Sequence, residues 1–412
     1  MNIPQGYKRT ELGIIPEDWE VKRISDFTSI ITGGTPSTQR PEYWGGSIMW
    51  MSSGELNKKF VFDVEGRITT EGLLNSSTHI IPPFCVLIGL AGQGKTRGTA
   101  AYNYISLCTN QSIAAILPND KYDSLYLYYV VDSKYDYLRL LSSGDGGRGG
   151  LNKNLLNSLE ISFPKTIAEQ QAIAEVLGDI DGLIAALDKK IAKKRLIKQG
   201  AMSQLLTGKK RFPGFSDPWV ERKLGEIGVW VKGQSLSKND ITPNGKNICI
   251  HYGELFSYGE VITSPISRTN SQPITISLGN EILFPDSDVT PDGLGRCSAL
   301  LMKDVIIGSG VNILRHNPLY DTSFVSYSIN ANRSKIIDRV TGTTVKHINS
   351  KELSEVVIEI PKNKDEQIAI ATMLNDMDKE IDDLEAQRDK YRLLKSGMMQ
   401  KLLTGQIRLK IK

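Results

Sequence analysis

The 412-residue sequence has only four cysteines, and none of them belongs to a C-x-x-C pair. This spacing argues against zinc sites and disulfide frameworks and fits a reducing compartment. The sequence also lacks the run of about 18 apolar residues that a membrane span requires, and no apolar signal segment stands at its start. Neither charge dominates, because 50 Lys and Arg residues stand against 46 Asp and Glu residues for a net charge of +4. We therefore expect a cytoplasmic protein without membrane contact, for which nucleic-acid binding is permitted but not required.

An internal repeat is the main feature that the sequence does contain. Residues 164–174 match residues 361–371, and the Leu-Leu-Thr-Gly run at 205–208 recurs at 402–405, in each case 197 residues later. Roughly half of the positions between these anchors are identical without a gap, which is more than a shared heptad pattern would produce. Two copies of one unit therefore account for the length of the chain.

The repeat predicts an α+β protein with two globular mixed α/β domains and two long helices. Looser similarities between the domains, such as Trp19 with Trp219, place one variable domain before each helix. The linker that follows the first Thr-Gly leads into the second domain, whereas the equivalent linkers are cut open at the two chain ends. This indicates a circular organisation with a pseudo-twofold repeat and neighbouring termini. The predicted segments are a variable domain at 1–163, a helix at 164–208, a variable domain at 209–360, and a helix with a C-terminal tail at 361–412.

The two helices carry the heptad pattern of a coiled coil. Each spans about 39 residues, or about 58 Å, and its seam shifts phase near Lys194 or Arg388. Both helices begin acidic and end basic, so antiparallel pairing would set the acidic start of one against the basic end of the other. We predict an antiparallel pair. The seam residues are Ile173, Leu177, Ile180, Ile184, Leu187 and Ile191 in the first helix, and Ile370, Leu374, Met377, Ile381 and Leu384 in the second.

Residues 89–96 satisfy the pattern G-x-x-x-x-G-K-[ST] of a nucleotide-binding P-loop. A P-loop needs a helix that starts at the Lys-Thr pair, whereas the following residues are β-branched and aromatic, which is typical of a strand. A P-loop NTPase remains the alternative. The preferred interpretation is a glycine-rich hairpin tip that presents polar groups to DNA bases and phosphates. Its candidate DNA-binding residues are Gly92, Gln93, Gly94, Lys95, Thr96 and Arg97.

Weaker candidates for DNA contact are scattered over other loops. Arg148 lies in a glycine-rich connection at 142–150, which could equally be a flexible link to the helix. The second domain offers Lys238, the pair His251 and Tyr252, and a polar stretch at 288–296 that includes Thr290 and Arg296. Each of these could instead be an ordinary surface loop. A coiled-coil scaffold without a nucleic-acid role is a further hypothesis.

The repeated motifs resemble those of a known family. The P-x-x-x-x-E-Q-x-A-I-A start of each helix, the Leu-Leu-Thr-Gly end, and the tryptophan-containing opening of each domain are similar to the specificity subunit of a Type I restriction-modification system. The resemblance covers essentially the whole chain. It implies a non-catalytic subunit whose two target recognition domains each read one half of a bipartite, asymmetric site in double-stranded DNA.

The resemblance also implies partners and the location of cofactors. The helices would fix the spacing of the half-sites and dock methyltransferase (M) subunits, with Glu169, Gln170, Glu366 and Gln367 as candidate partner-binding residues. A restriction and translocase (R) subunit would join through the complex. S-adenosylmethionine, ATP and Mg are expected on the partner subunits, with no cofactor or metal in this chain. Because acids and bases pair along the helices, we expect the chain alone to bind DNA poorly.

Overall fold

The computed structural model describes residues 3–92, 94–142 and 150–409, and the chain divides into two compact units. Unit 1 comprises Met1–Leu187 and Gln387–Lys412, and unit 2 comprises Asp188–Ala386. Both divisions fall inside the long helices. Each unit therefore contains one variable domain, the first half of one long helix and the second half of the other. Among the described residues, no helix is both long and apolar enough to cross a membrane.

The variable domain of unit 1 is built mainly on a five-stranded sheet in the order β4-β11-β8-β9-β6, in which only β6 runs parallel to its neighbour. Its strands are β1 (Tyr7–Thr10), β2 (Gly13–Pro16), β3 (Glu20–Arg23), β4 (Ile30–Thr32), β5 (Trp44–Met51), β6 (Phe60–Val61), β7 (Gly66–Ile68), β8 (Val86–Gly89), β9 (Ala100–Asn103), β10 (Cys108–Thr109), β11 (Ile113–Ile116) and β12 (Glu160–Phe163). Its helices are α1 (Ile24–Phe27), α2 (Thr70–Leu74), α3 (Ser124–Ser133), α4 (Tyr135–Leu141) and α5 (Lys153–Asn157), and α6 (Ile167–Leu205) follows.

Unit 2 repeats this sheet as β14-β23-β19-β21-β16, again with only the last strand parallel to its neighbour. Its strands are β13 (Trp219–Lys223), β14 (Gly228–Lys232), β15 (Asn247–Ile250), β16 (Val261–Ile262), β17 (Ser267–Thr269), β18 (Ile276–Leu278), β19 (Glu281–Pro285), β20 (Ser287–Asp288), β21 (Ser298–Leu300), β22 (Lys303–Ile307), β23 (Val311–His316), β24 (Lys346–His347) and β25 (Val357–Pro361). Its helices are α7 (Leu224–Ile227), α8 (Pro291–Leu294), α9 (Thr322–Ala331), α10 (Ser334–Ile337) and α11 (Ser350–Ser354), and α12 (Lys364–Leu402) follows. The repeat therefore extends to the domains, where the sequence similarity is weak.

The two long helices have the predicted length and the predicted antiparallel pairing. Helices α6 and α12 contain 39 residues each. In unit 1, Asp181 near the start of α6 pairs with Lys395 near the end of α12 at 2.7 Å. In unit 2, Asp378 near the start of α12 pairs with Lys198 near the end of α6 at 2.5 Å. Acidic helix starts thus meet basic helix ends in both units, as their charges require.

The predicted seam is largely buried, and a buried lysine interrupts its apolar pattern. Ile173, Leu177 and Ile370 are almost fully buried against the sheet and its covering helix in their units. Seven residues after Ile191, where an apolar residue would continue the heptad, the seam contains Lys198. This lysine is buried because its ammonium group is neutralised by Asp378, so a polar layer replaces an apolar one.

Two ion pairs, Asp181 with Lys395 in unit 1 and Asp378 with Lys198 in unit 2, also contact a tyrosine of the variable domain in their unit. We call each ion pair together with its tyrosine a clamp. In unit 1, Tyr129 of α3 donates a hydrogen bond to Asp181 at 2.8 Å, and Lys395 lies 5.2 Å from the Tyr129 ring centre. In unit 2, Tyr327 of α9 donates to Asp378 at 2.6 Å, and Lys198 lies 5.3 Å from the Tyr327 ring centre. Burial, together with the neighbouring carboxylate, raises the pKa of both tyrosines far above the ordinary range, so each hydroxyl stays protonated and donates.

Described residues near the two chain ends contact one another within unit 1, as the predicted circular organisation requires. The Tyr7 hydroxyl donates to the Gly405 carbonyl at 3.0 Å, and Arg408 pairs with Asp18 at 2.9 Å. Gly405 adopts a φ of 69° and packs against Trp19. The linker between the two halves uses the same arrangement, since Gly208 has a φ of 65° and packs against Trp219. The linker after α6 and the segment after α12 therefore share one local arrangement.

Candidate nucleic-acid interface

The P-loop-like segment of unit 1 is a hairpin tip. Strands β8 and β9 pair antiparallel, and residues 90–99 connect them. The Gly89 amide donates to the Thr99 carbonyl at 3.0 Å, and the Gly98 amide donates to the Gly89 carbonyl at 2.9 Å, which closes the loop at its base. The chain continues from Thr96 through a turn into β9, where a P-loop would have a helix. The P-loop hypothesis is therefore not supported, because in the described part of this segment no helix begins at the Lys-Thr pair, where a P-loop needs one to hold phosphates.

Helix α4 supports this hairpin tip from one side. Arg139 donates to the Gly94 carbonyl at 2.7 Å, and the Tyr135 hydroxyl donates to the Lys95 carbonyl at 3.2 Å. These bonds use backbone carbonyls, so they position the loop without occupying its side chains. The structure brings together five of the six residues predicted for this loop, while Gln93 lies outside the described residues. Gly92, Gly94 and Lys95 are exposed, and Thr96 and Arg97 are half-buried.

A second connection reaches the same tip. The Leu151 amide donates to the Leu90 carbonyl at 3.0 Å, so Gly150 and Leu151 lie beside the hairpin. The candidate Arg148 belongs to the glycine-rich stretch before Leu151 and lies outside the described residues. Two loops that are distant in sequence are thus anchored at one end of the sheet.

The topologically equivalent connection in unit 2 lies between β19 and β21, at 286–297. It contains both Thr290 and Arg296, which the sequence placed in one polar stretch. The Thr290 hydroxyl caps α8 by accepting the Gly293 amide at 3.2 Å and donates to Asp288 at 2.9 Å. Thr290 is exposed, and the neighbouring Val289 side chain is 73% exposed. This connection is longer than its counterpart, and its Gly-x-Gly run is followed by Arg296 where the counterpart has Lys95.

Arg296 serves this connection internally. Its guanidinium group donates to the carbonyls of Phe256 and Tyr258, and burial lowers its pKa below the usual value for arginine. The structure therefore gives Arg296 a role in holding the loop, and its contact with DNA stays a prediction. Tyr252 acts similarly, because its hydroxyl donates to the Ser287 carbonyl at the base of the loop. His251 beside it accepts the Gly253 amide at 3.1 Å and caps a short 3-10 helix.

The remaining candidate of unit 2 lies apart from this cluster. Lys238 is exposed and begins a 3-10 helix, and none of its described contacts joins it to the 286–297 connection. A loop that the sequence did not single out adjoins the 286–297 connection. It lies at 341–347, where β24 pairs with β20 and the exposed His347 lies opposite Ser287. This loop occupies the place of the Arg148 stretch in the repeat, so aligning the two halves through α5 and α11 could have found it.

The four predicted partner-binding residues are buried inside their own units. Glu169 and Gln170 are each 3% exposed, and the same positions of the second copy are 1% exposed. Side chains this buried in the chain take an internal role, and their part in docking a partner stays a prediction. Glu169 pairs with Arg408, Glu366 pairs with Arg211, and Gln170 and Gln367 each bridge a backbone amide, of Asp123 or Asp321, and a carbonyl, of Pro164 or Pro361.

Comparison with known proteins decides the family. The model of the type I restriction modification DNA specificity domain matches residues 16–194 and again residues 216–391. The chain belongs to this family. The two matches coincide with the two copies of the internal repeat, so each copy is one specificity domain.

Individual members of the specificity family resemble the chain over different lengths. The MjaIX specificity subunit of Methanocaldococcus jannaschii is 36% identical over 43% of this chain and 41% of its own length. The MjaX specificity subunit of the same organism, named as putative, is 25% identical over 98% of this chain and 97% of its own length. The crystal structure of the S subunit from Mycoplasma genitalium aligns over 98% of both chains with a TM-score of 0.66 at 17% identity. At that identity the structural match shows the fold alone.

No group of three or more His, Cys, Asp or Glu side chains in the described residues is arranged to hold a metal ion. The cysteines are buried and unpaired, and burial raises the pKa of the Cys85 and Cys297 thiols to about 12.

Proposed function

We propose that this chain is the sequence-specific DNA recognition subunit of a type I restriction-modification complex, with each variable domain reading one half of a bipartite site. The observation that carries this proposal is the double match to the specificity family combined with loops that differ in length and in most residues at equivalent positions. The connection at 90–99 and its counterpart at 286–297 join equivalent strands and share a Gly-x-Gly-basic run, but their other residues differ. One frame with two different reading loops would select an asymmetric site.

The chemistry of the two loops supports different half-sites. In unit 1, Lys95 and Thr96 supply an ammonium group and a hydroxyl at the tip of a hairpin whose backbone is already fixed. Such groups suit guanine edges and phosphates in the major groove. In unit 2, Thr290 and the loop at 341–347 supply hydroxyls, an imidazole and the ammonium group of Lys346, while Asp286, Asp288 and Asp292 reduce the positive charge of the 286–297 connection. Contacts to phosphates would position each domain, while base edges would give the specificity.

The antiparallel helices would make the distance between half-sites a property of the protein. Both are continuous over 39 residues, and each is held to a variable domain by a clamp. Catalysis would reside elsewhere: the methyltransferase subunits would supply S-adenosylmethionine, and the translocase subunit would supply ATP hydrolysis with Mg²⁺. The specificity chain then acts by positioning its partners on one DNA sequence.

Methylation mapping tests this proposal directly. Cells without other adenine methylation would express the chain with its cognate methyltransferase subunit, and the modified bases would be located by sequencing. We expect one bipartite motif with a fixed spacer, and no modification when the chain is left out. A pattern without a motif, or the same motif in the absence of the chain, would contradict the proposal.

The purified chain supplies a second measurement. Because its net charge is only +4 and many helix charges pair with one another, we expect weak DNA affinity from the chain alone and tight, site-dependent affinity from the complex with the methyltransferase subunit. Affinities should be compared over a range of salt concentrations, since phosphate contacts are screened by salt. Equal affinity of the complex for all duplexes at every salt concentration would count against sequence recognition.

A further inference from the structure

In each unit, a short helix that follows the sheet-covering helix lies against one loop. These loops are the connection at 90–99 in unit 1 and the connection at 286–297 in unit 2, and we call them the reading loops. The covering helices α3 and α9 both contain ten residues, and each is capped by an aspartate side chain, of Asp123 or Asp321. The short helices that follow are α4 and α10. Their positions can therefore be compared by counting from the capping aspartates.

In unit 1, Gly98 of the reading loop packs closely on α4. A Cβ added to Gly98 would lie 3.3 Å from the Tyr135 carbonyl oxygen and 3.4 Å from the Arg139 side chain. Leu138 of the same helix is fully buried in the core of the unit, so α4 is itself held in place. Gly98 also has a φ of 82°, which residues with a side chain rarely adopt. The loop thus approaches the helix at a point that suits glycine alone.

In unit 2, Gly295 repeats this contact. Gly98 and Gly295 each stand four residues before the strand residue that pairs with the first residue of the parallel edge strand, β6 or β16. A Cβ added to Gly295 would lie 3.5 Å from the Arg333 carbonyl oxygen and 2.6 Å from the Ile337 side chain. Arg333 and Ile337 stand twelve and sixteen residues after the capping aspartate, and the two residues nearest Gly98 named above stand at the same distances from theirs. The two loops differ, but they meet the short helix in the same way.

An arginine on α4, and another at the start of α10, also bonds a backbone carbonyl of the reading loop. In unit 1, Arg139 donates to the Gly94 carbonyl at 2.7 Å. In unit 2, Arg333 donates to the Asp292 carbonyl at 3.0 Å and to the carboxylate of the same residue at 3.2 Å. Arg333 occupies the repeat position of Tyr135, so the two arginines are one helical turn apart in the repeat. The same kind of bond therefore occurs in both units although different positions supply it.

We propose that Arg139 and Arg333 are positioning residues for DNA recognition, each controlling the fidelity of one half-site through the backbone of its reading loop. We call the short helix, its arginine and the loop glycine of a unit its splint. This inference rests on the proposed function, in which the reading loops contact bases. A loop that is fixed before DNA binds loses less conformational entropy on binding, and it adapts less readily to a wrong base. Because the splint bonds backbone groups, it can serve loops of different sequence.

Methylation rates of the complex with the methyltransferase subunit test the splints. The substrates are a duplex with the mapped motif and duplexes with single-base changes in either half-site. Arg139→Met should reduce the discrimination against changes in one half-site by about tenfold, which corresponds to the loss of one charge-assisted hydrogen bond. Arg333→Met should do the same at the other half-site only. Arg139→Lys retains a donor and should restore part of the discrimination.

Arg339 provides a matched control in unit 2. It follows α10 and donates to the carbonyls of Lys335 and Glu355, which lie outside the reading loop. Arg339→Met removes hydrogen bonds of the same kind, and it should leave the discrimination at both half-sites unchanged. A loss as large as that of Arg333→Met would show that any damage near α10 relaxes recognition, and it would overturn the proposal.

Hydrogen exchange of the free chain supplies a measurement that needs no DNA. Peptides that cover residues 90–99 should exchange about tenfold faster in Arg139→Met, and peptides that cover residues 286–297 should do so in Arg333→Met. The rest of each unit should exchange as in the unchanged chain. The Arg333 side chain is 53% exposed, so Arg333→Met is expected to fold and to be testable whatever the stability of the Arg139 variant.

The results separate failure of the splints from failure of the proposed function. If the unchanged complex methylates no bipartite motif, the proposed function is wrong. If it methylates such a motif and both methionine variants keep full discrimination, only the splint inference is wrong. The inference is also wrong if either variant relaxes both half-sites, or if it slows methylation of all duplexes by the same factor, because the arginine would then act on the fold or on the complex as a whole.

Discussion

Replacement of Lys198 by methionine tests the clamp of unit 2. The Lys198 ammonium group neutralises Asp378 at 2.5 Å and Glu260 at 3.1 Å, and it lies over the ring of Tyr327. Methionine has a similar length but no charge, so Lys198→Met keeps most of the packing and removes the cation. Two carboxylates would then remain close together without a cation between them, and we expect unit 2 to lose stability.

The size of this loss follows from the burial of the three charged side chains. Lys198 is 11% exposed, Asp378 is 30% exposed and Glu260 is 27% exposed, so the cluster lies between a surface pair and a fully buried one. Breaking a buried pair costs about 3–5 kcal/mol, and exposed pairs contribute about 0–1 kcal/mol. We expect a loss of about 2–3 kcal/mol. The control Lys194→Met, in an ion pair whose side chains are 34% and 45% exposed, should cost less than about 1 kcal/mol.

Hydrogen exchange is the suitable assay, because a chain with two units is not expected to unfold in one step. Exchange of the buried amides of α9 reports the opening of unit 2, and exchange of α3 in unit 1 serves as the internal reference. Addition of Asp378→Asn to Lys198→Met should restore part of the protection, since it removes one uncompensated carboxylate. If the two effects add within about 0.5 kcal/mol, or if Lys194→Met costs as much as Lys198→Met, the clamp is not the coupled cluster described above.

Three further predictions use the same structure. Gly200→Ala and Gly397→Ala should each stabilise the isolated chain by about 0.5–1 kcal/mol in denaturant unfolding, because the added methyl groups meet open space and alanine favours the helix. Burial and, to a smaller extent, the neighbouring carboxylates raise the pKa of Asp382 in the folded state. Ionisation of Asp382 therefore lowers the free energy of unfolding above that pKa, and it has no effect at pH values below the pKa of the unfolded state. Asp382→Asn should therefore stabilise unit 2 by about 0.3 kcal/mol at pH 7 and by nothing near pH 3, and a gain at both pH values would contradict this assignment. In methylation mapping, Lys95→Ala should relax one half of the recognised motif and Thr290→Ala the other, whereas a change of both halves by either variant would refute the division of reading between the units.

The sequence predicted those parts of the structure that depend on local pattern and summed charge. The heptad seam, the antiparallel pairing and the meeting of the termini needed only the spacing of apolar residues and the order of charges. The clamp was not predicted, because a lysine at a seam position looks like a break in the coil. Its neutralising partner Asp378 is 180 residues away, and no local rule connects the two residues.

In the loops, composition alone does not predict which polar side chains are available for binding. Arg296 in a polar, glycine-containing stretch has the composition of a DNA contact, yet its guanidinium group is used by the carbonyls of Phe256 and Tyr258. Composition shows which polar groups a loop contains, but it does not show how many of them form hydrogen bonds within the protein. The hairpin tip around Lys95 was predicted correctly because the decisive feature, a strand in place of a helix after Thr96, is local.

The polar pairs between the helices explain why the two copies stay alike there while the loops differ. Asp181 of the first copy pairs with Lys395 of the second, and Lys198 of the first pairs with Asp378 of the second. A substitution at any of these positions removes a partner in the other copy, so it is tolerated only with a matching change 180 or more residues away. The described residues of the loop at 90–99 form hydrogen bonds with α4 and with neighbouring strands of their own unit. Its residues can change without a matching change in the other copy, which is the physical condition for one frame to carry two independent reading surfaces.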